Sequence, residues 1–286
     1  MPAKQFNYIS GILLIITAFL ILFVESCVQE YENDKTAVLP KFKRSAPKFK
    51  LKNVRNASGL TYNPDSSTLF LVQDSPAKII EINQQGKILR RIEIEGLKDI
   101  EGISYIGNNR FVIADENSAS VYFISVKPDT KYIAKKDMAA LKLDLPNKPK
   151  HGISGVTYNP QDKSLFIITE KKPKKIIQVF IGSEKLNIPW NLENSDIKDA
   201  DGIFFDPNSQ HIFLLSKTAG AVIEYSLHGK KLSQIQLKKG NINLNHTIKK
   251  PEGITMNTSG TKLYICGEKN DFYIFSLPKI KSQNKK

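Results

Sequence analysis

The 286-residue chain has little of what usually catalyses or crosslinks. Its two cysteines, Cys27 and Cys266, fall in different segments, so no disulfide framework organises it. Its four histidines, His151, His211, His228 and His246, are scattered. No His or Cys cluster stands beside the acids, which argues against zinc. There is no Gly-x-Ser-x-Gly, no His-Glu-x-x-His and no phosphate loop, so the enzyme classes that carry those signatures are excluded. Acids are also in the minority. With 28 Asp and Glu against 42 Lys and Arg, the net charge is +14. The lysines are spread out, apart from small runs such as Lys171-Lys172-Pro173-Lys174-Lys175 and the C-terminal tail. That pattern reads as a solvated face, or as long-range attraction to anionic headgroups or envelope polymers.

Long apolar runs are absent except for one. Ile9–Val24 is uncharged and follows Lys4. It is short for a spanning helix and slightly long for a signal core. Val24-Glu25-Ser26-Cys27 resembles a bacterial lipobox, with Glu25 as its departure and Cys27 as the lipidation site. An uncleaved signal anchor, giving a single-pass membrane protein with a periplasmic domain, is the alternative. Both readings place the domain at the cell envelope, held to a membrane on its extracytoplasmic side. An exported domain does not meet nucleic acid, so none is expected. The partner is left as an unknown protein or small molecule, and a monomer is expected.

What the chain has in abundance is a repeat. Five copies begin at Ser58-Gly59-Leu60-Thr61-Tyr62, Glu101-Gly102-Ile103-Ser104-Tyr105, Ser154-Gly155-Val156-Thr157-Tyr158, Asp201-Gly202-Ile203-Phe204-Phe205 and Glu252-Gly253-Ile254-Thr255-Met256. Each leads through turn residues, such as Asn63-Pro64-Asp65 and Asp206-Pro207-Asn208, to an aromatic that opens a second strand. Those aromatics are Phe70, Phe111, Phe166, Phe213 and Tyr264. A third β-rich run follows in every copy, and a fourth is clear in the first and fourth copies. Four antiparallel strands recurring every 43 to 53 residues are the signature of propeller blades. The last copy lacks a fourth strand, and Phe49–Val54 stands ready to supply it. The expected fold is therefore all-β: a five-bladed β-propeller of four-stranded blades, its ring closed by the N-terminal strand. The expected divisions are a leader at 1–27, a flexible tether at 28–47, the propeller at 48–280 and a basic tail at 281–286.

Propeller geometry then nominates a site. The start of each inner strand and the end of the next strand share one mouth of the channel. The starts carry Ser58, Glu101, Ser154, Asp201 and Glu252; the ends carry Asp74, Asp115 with Glu116, Glu170, Lys217 and Glu268. Carboxylates converging on one opening raise each other's pKa unless a cation neutralises them. Oxygen-only donors suit a hard divalent ion, and Ca²⁺ takes six to eight of them with loose geometry. Glu101 and Glu252 lead the metal candidates, followed by Glu170 and Glu268, then Asp201 and Glu116. No catalytic residue stands out, although His151 lies near the mouth. The competing reading is that these acids only cap backbone amides at the strand entries.

These segments, together with Arg110-Phe111-Val112-Ile113-Ala114-Asp115-Glu116 and Gly267-Glu268, resemble the SdiA-regulated family of bacterial envelope propellers. The resemblance covers about Val54 to Leu277. It implies a five-bladed, distantly NHL-like propeller with a Ca²⁺ site, and a supposed hydrolase role. The chain departs from that pattern at Ser154, where Glu is usual, and at Lys217, where an acid or polar residue is commoner. Both changes remove negative charge from the mouth. The expected function is a membrane-tethered, Ca²⁺-binding scaffold or binding module. The alternative is a metal-dependent hydrolase of an ester, lactone or phosphoester.

Overall fold

A computed structural model describes residues 36–143, 152–169, 175–183, 186–192, 197 and 199–278, together with Thr17. Cys27 and almost all of the leader, and Glu170, His151, Lys171–Lys174 and the tail at 281–286, lie outside the described residues. The chain divides into two units, Met1–Ala37 and Val38–Lys286. The second is an all-β, five-bladed propeller. Among the described residues no helix is long and apolar enough to cross a membrane.

Blade 1 runs through Ala57–Asn63, Thr68–Gln73, Lys78–Ile82 and Ile88–Glu95, paired antiparallel in that order. Blade 2 uses Ile100–Gly107, Arg110–Asp115, Ser120–Ser125 and Ala139–Lys142. Blade 3 uses Ile153–Asn159, Ser164–Thr169, Lys175–Phe180 and Leu186–Asn191. Blade 4 uses Gly202–Asp206, His211–Ser216, Ala221–Tyr225 and Lys231–Gln236. Blade 5 has Pro251–Met256, Lys262–Gly267 and Asp271–Ser276, and borrows its outer edge from the N-terminal side. One addition was not expected. Tyr132–Ala134, between the third and fourth strands of blade 2, pairs parallel with the outer strand of blade 1.

The core lies between blades. Phe70 and Ile79 of blade 1 pack with Ile103 and Phe111 of blade 2, the two phenyl rings 4.7 Å apart. Val112 and Val121 meet Ile153 and Ile167 at the next boundary. Phe166 meets Phe205, Phe213 meets Ile254, and Tyr264 meets Leu60 at the remaining three. The aromatics that open the second strands are all buried, as an alternating apolar face requires.

Glycine permits the blades to converge. A Cβ on Gly102 would lie 2.8 Å from the Val156 nitrogen and 2.9 Å from the Gly155 Cα. One on Gly202 would lie 2.4 Å from the Glu252 carbonyl oxygen. Two residues beyond each glycine, a hydroxyl links neighbouring blades. Thr61 Oγ1 accepts from the Tyr105 amide at 3.0 Å, Ser104 Oγ from Tyr158 at 3.0 Å, and Thr157 Oγ1 from Phe205 at 3.0 Å. Thr255 Oγ1 accepts from Tyr62 at 3.2 Å. Blade 4 carries Phe204 at this position, so one step of the belt is apolar.

Closure by the N-terminal segment is as expected, but its register is earlier. Lys43–Arg44 and Phe49–Lys50 pair antiparallel with Asp271–Ser276, with Arg44 opposite Phe275 and Phe49 opposite Phe272. Leu51 and Val54, expected in the closing strand, are buried beyond it in the core between blades 5 and 1. The expected tether to residue 47 is shortened in the same way. Leu39 and Phe42 are fully buried in the core between blades 4 and 5. A carboxylate holds them there. Glu224 accepts from the Val38 amide at 2.9 Å, the Leu39 amide at 3.1 Å and Ser233 Oγ at 2.6 Å, and His211 Nδ1 lies 2.7 Å away. Burial alone would raise the Glu224 pKa, but these partners outweigh it and hold it below the usual carboxylate range. A local polar stretch thus takes part in the fold because two apolar anchors and one buried acid fix it.

Two outcomes follow. Gly102→Ala forces a methyl into backbone that cannot retreat, so it should cost about 1–3 kcal/mol and lower Tm by several degrees in a thermal melt. Glu224→Gln replaces a four-fold acceptor by a group that presents N–H to other donors. Limited proteolysis should then cut the chain between residues 36 and 48 much faster than in the wild type.

Candidate metal and acid site at the channel mouth

The inner strands deliver their first residues to one end of the channel. There the sequence-predicted acids separate into distinct groups. Asp201 and Glu252 are both buried, and Lys217 lies between them. Its Nζ is 2.7 Å from Glu252 Oε1 and 3.3 Å from Asp201 Oδ1. The Lys217 amide also donates to Asp201 Oδ2 at 2.7 Å. Burial strips hydration from the ammonium and pulls its pKa down, but the two acids outweigh this and hold it above its usual range. Burial pushes Glu252 up to about 8 against the pull of Lys217. It pushes Asp201 up to about 6 in the same way. An ammonium therefore occupies the centre of the pair that ranked among the metal candidates.

Glu101 belongs to a second group. One carboxylate oxygen each from Asp74, Asp99 and Glu101 lie within 4.8 Å of one another, all half-buried. The Glu101 carboxyl is pushed up to about 7, chiefly by burial. A hydrogen bond with Ser58 opposes the shift, and Asp99 and Glu116 reinforce it. Asp99 was not among the predicted ligands. Its signal was present, because Asp99-Ile100-Glu101-Gly102 and Asp199-Ala200-Asp201-Gly202 share one pattern.

The residue three before each glycine explains the sorting. It faces the end of the second strand of its own blade. In blade 5 that residue is Lys250, whose Nζ pairs with Glu268. Glu268 is neutralised there and does not join the central acids. In blade 4 it is Asp199, which accepts from the Thr218 amide at 2.8 Å and from Ser216 Oγ. In blade 1 Asn56 Nδ2 reaches Asp74 at 3.4 Å. In blade 2 Asp99 accepts from the Glu116 amide through its backbone oxygen at 2.9 Å. Asp115 turns away to its own turn, where Ser118 donates to it. In the third blade Ser154 Oγ donates to the Ala200 carbonyl at 2.8 Å, a purely structural bond.

The mouth is narrow. The cavity bordered by Gly59, Glu101, Ser154, Gly202 and Glu252 measures about 10 Å³. That is close to the space one water needs.

The repeats, ring and mouth together match a known protein group. Residues 34–276 match the model of the SdiA-regulated family. This chain belongs to the SdiA-regulated family. Among solved structures, a chain of the crystal structure of a nidogen/laminin complex is similar, with a TM-score of 0.53 and 12% identity over 79% of this chain and 84% of that one. A protein of unknown function from Bacteroides thetaiotaomicron is similar with a TM-score of 0.52 and 9% identity, over 82% of this chain and 73% of the other. At such identities the likeness to this SdiA-regulated chain is one of fold.

Lys217 gives the site its test. Lys217→Met leaves Asp201 and Glu252 buried without a countercharge, which should cost about 3 kcal/mol at pH 8. Protonation relieves that cost. An acid whose folded pKa is raised binds its proton more tightly when folded, so its stability penalty grows as pH rises from the unfolded value to the folded one. The Tm deficit of Lys217→Met should therefore be largest at pH 8 and above, and shrink steadily as pH falls toward about 4.

Proposed function

We propose that this protein is a membrane-tethered propeller of the cell envelope that binds Ca²⁺ at one channel mouth and serves as a binding or scaffold module. The observation that carries the metal reading is the group of Asp74, Asp99 and Glu101, whose oxygens lie within 4.8 Å of one another. Their chemistry fits a hard cation, being carboxylate oxygen only. Glu101 has the most to gain from one, because burial, Asp99 and Glu116 all oppose its charge. Asp201 and Glu252 fit less well, since Lys217 already supplies their positive charge. The Ca²⁺ reading therefore moves from Glu252 toward Glu101 and its two neighbours in blades 1 and 2. The lipobox-like Val24–Cys27 and the apolar run before it support the tether, with Cys27 as the lipid attachment point.

We favour binding over turnover because no nucleophile or general base stands out beside these acids in the sequence. One observation does favour the hydrolase. A carboxyl near pKa 7, as in Glu101, is poised for proton transfer at neutral pH.

The test is a thermal melt of the full chain at pH 7.5, in chelator and then in rising Ca²⁺. A ligand bound only by the native state raises Tm with dose, by the equivalent of about 2.7 kcal/mol at a hundred times its Kd. Glu101→Gln should melt at or above the wild type in chelator, because it removes a costly buried charge, and should lose the Ca²⁺ response. No response of the wild type at millimolar Ca²⁺ would remove the metal. Turnover of a nitrophenyl ester or phosphoester, lost in Glu101→Gln, would establish the hydrolase instead.

A further inference from the structure

The other end of the channel holds a larger cavity, about 360 Å³, where the inner strands turn into the second ones. That is within the range of small-molecule sites. Its wall includes Tyr62, Tyr105, Tyr158 and Phe204, one residue from each of four blades, and Met256 from the fifth. All four rings are half-buried, so their faces are neither packed away nor fully in water. Proline turns at Pro64, Pro160 and Pro207 hold the rim.

The polar side chains of this cavity are the Tyr62, Tyr105 and Tyr158 phenols, then Asp206, Asn208, Asn257 and Thr258 toward the rim, and a deeper set of hydroxyls. Thr61, Ser104, Thr157 and Thr255 line it, between 1 and 7% exposed. Each hydroxyl accepts one bond from the amide of the next blade. A hydroxyl can also donate. Among the described residues, none of these four hydroxyls donates to any protein group. Four buried O–H donors thus surround the channel with no acceptor among the described residues, and a ligand oxygen placed there would gain a bond. Phe204 replaces the fifth hydroxyl and makes one side of the ring flat and apolar.

The charge of the cavity narrows its ligand. The protein carries +14, yet among the described residues no Lys, Arg or His lines this space. Its one carboxylate, Asp206, is spent on its own turn, accepting from the Asn208 amide at 3.2 Å and from Ser209 Oγ at 2.8 Å. An anion finds no countercharge here and a cation finds no free acid.

The geometry points to a second binding site at this mouth, for an uncharged, flat, largely apolar small molecule that carries a carbonyl or ether oxygen. The apolar body lies among the aromatic walls and against Phe204. The oxygen accepts from the hydroxyl ring. The site uses none of the acids at the opposite mouth, so it does not depend on the metal.

Two probes of nearly the same shape separate the parts of this assignment: 2-acetylnaphthalene, which has the acceptor oxygen, and 2-ethylnaphthalene, which lacks it. Binding to the full chain is measured by saturation-transfer NMR and by titration, in chelator throughout. The ketone should bind about tenfold more tightly than the hydrocarbon, since a site built of donors penalises a ligand that leaves them unpaired. Tyr158→Ala removes one wall without breaking any side-chain hydrogen bond, and should weaken the ketone about tenfold. Ser104→Ala removes one donor and should narrow the gap between the probes, with a thermal melt confirming that both variants fold. Absence of binding by the ketone overturns the assignment. So does equal binding of the two probes, or ketone binding unchanged by Tyr158→Ala.

Discussion

The close approach of five inner strands around one axis is the constraint on which everything else depends. Backbone must pass within contact distance of backbone, and a side chain at the crossing would prevent it. Gly102 against Gly155 and Val156, and Gly202 against Glu252, show how little space is left. Once the strands are that near, their amides face the neighbouring blade. A buried amide needs an acceptor, and the hydroxyls of Thr61, Ser104, Thr157 and Thr255 supply four. The large apolar surfaces between blades then close over this polar waist. The small-residue pattern of the repeat thus belongs to the geometry of the ring as much as to any ligand.

The same convergence sets the electrostatics. Residues just before the glycines are drawn together whatever their charge. The chain resolves the conflict in two ways. At blades 4 and 5 it places a lysine between the acids. At blades 1 and 2 it brings one oxygen from each of three carboxylates within 4.8 Å of one another. The first arrangement is a self-contained ion pair. The second is an oxygen-only group that could hold a cation, and it lies in a protein whose other charges are mostly positive.

Much of this was legible in the residues. The glycines, the turn prolines and the aromatics that open the second strands are local signals, and they placed all five blades. The fourth strands of blades 2 and 3, Ala139–Lys142 and Leu186–Asn191, carry weaker patterns than those of blades 1 and 4. The closing segment was read a few residues too late, because Lys41 to Lys50 looks like solvated charge and only Leu39 and Phe42 reveal its docking. Tyr132–Ala134 is too short to carry any period, and its partner is in another blade. At the mouth, Glu101 and Lys217 were placed correctly at the opening. Which acids share a cation, however, depends on cross-strand neighbours such as Lys250 and Asp99. A long lysine side chain reaching from blade 4 to Glu252 of blade 5 leaves no mark in either local sequence.

The closing strand also fixes an order of events in time. Arg44 and Phe49 precede all five blades in the chain, but their partners, Phe275 and Phe272, lie in the third strand of the fifth. A growing chain therefore carries its own clasp from the start and has nowhere to fasten it until the third strand of blade 5 has emerged. Until then blade 5 lacks its outer edge, and Leu39 and Phe42 lack Tyr273 and Phe275 from the core they fill. Chains cut short before Asp271 would hold four complete blades and an exposed apolar clasp. Such fragments are natural substrates for quality control, whereas the closed ring hides that signal.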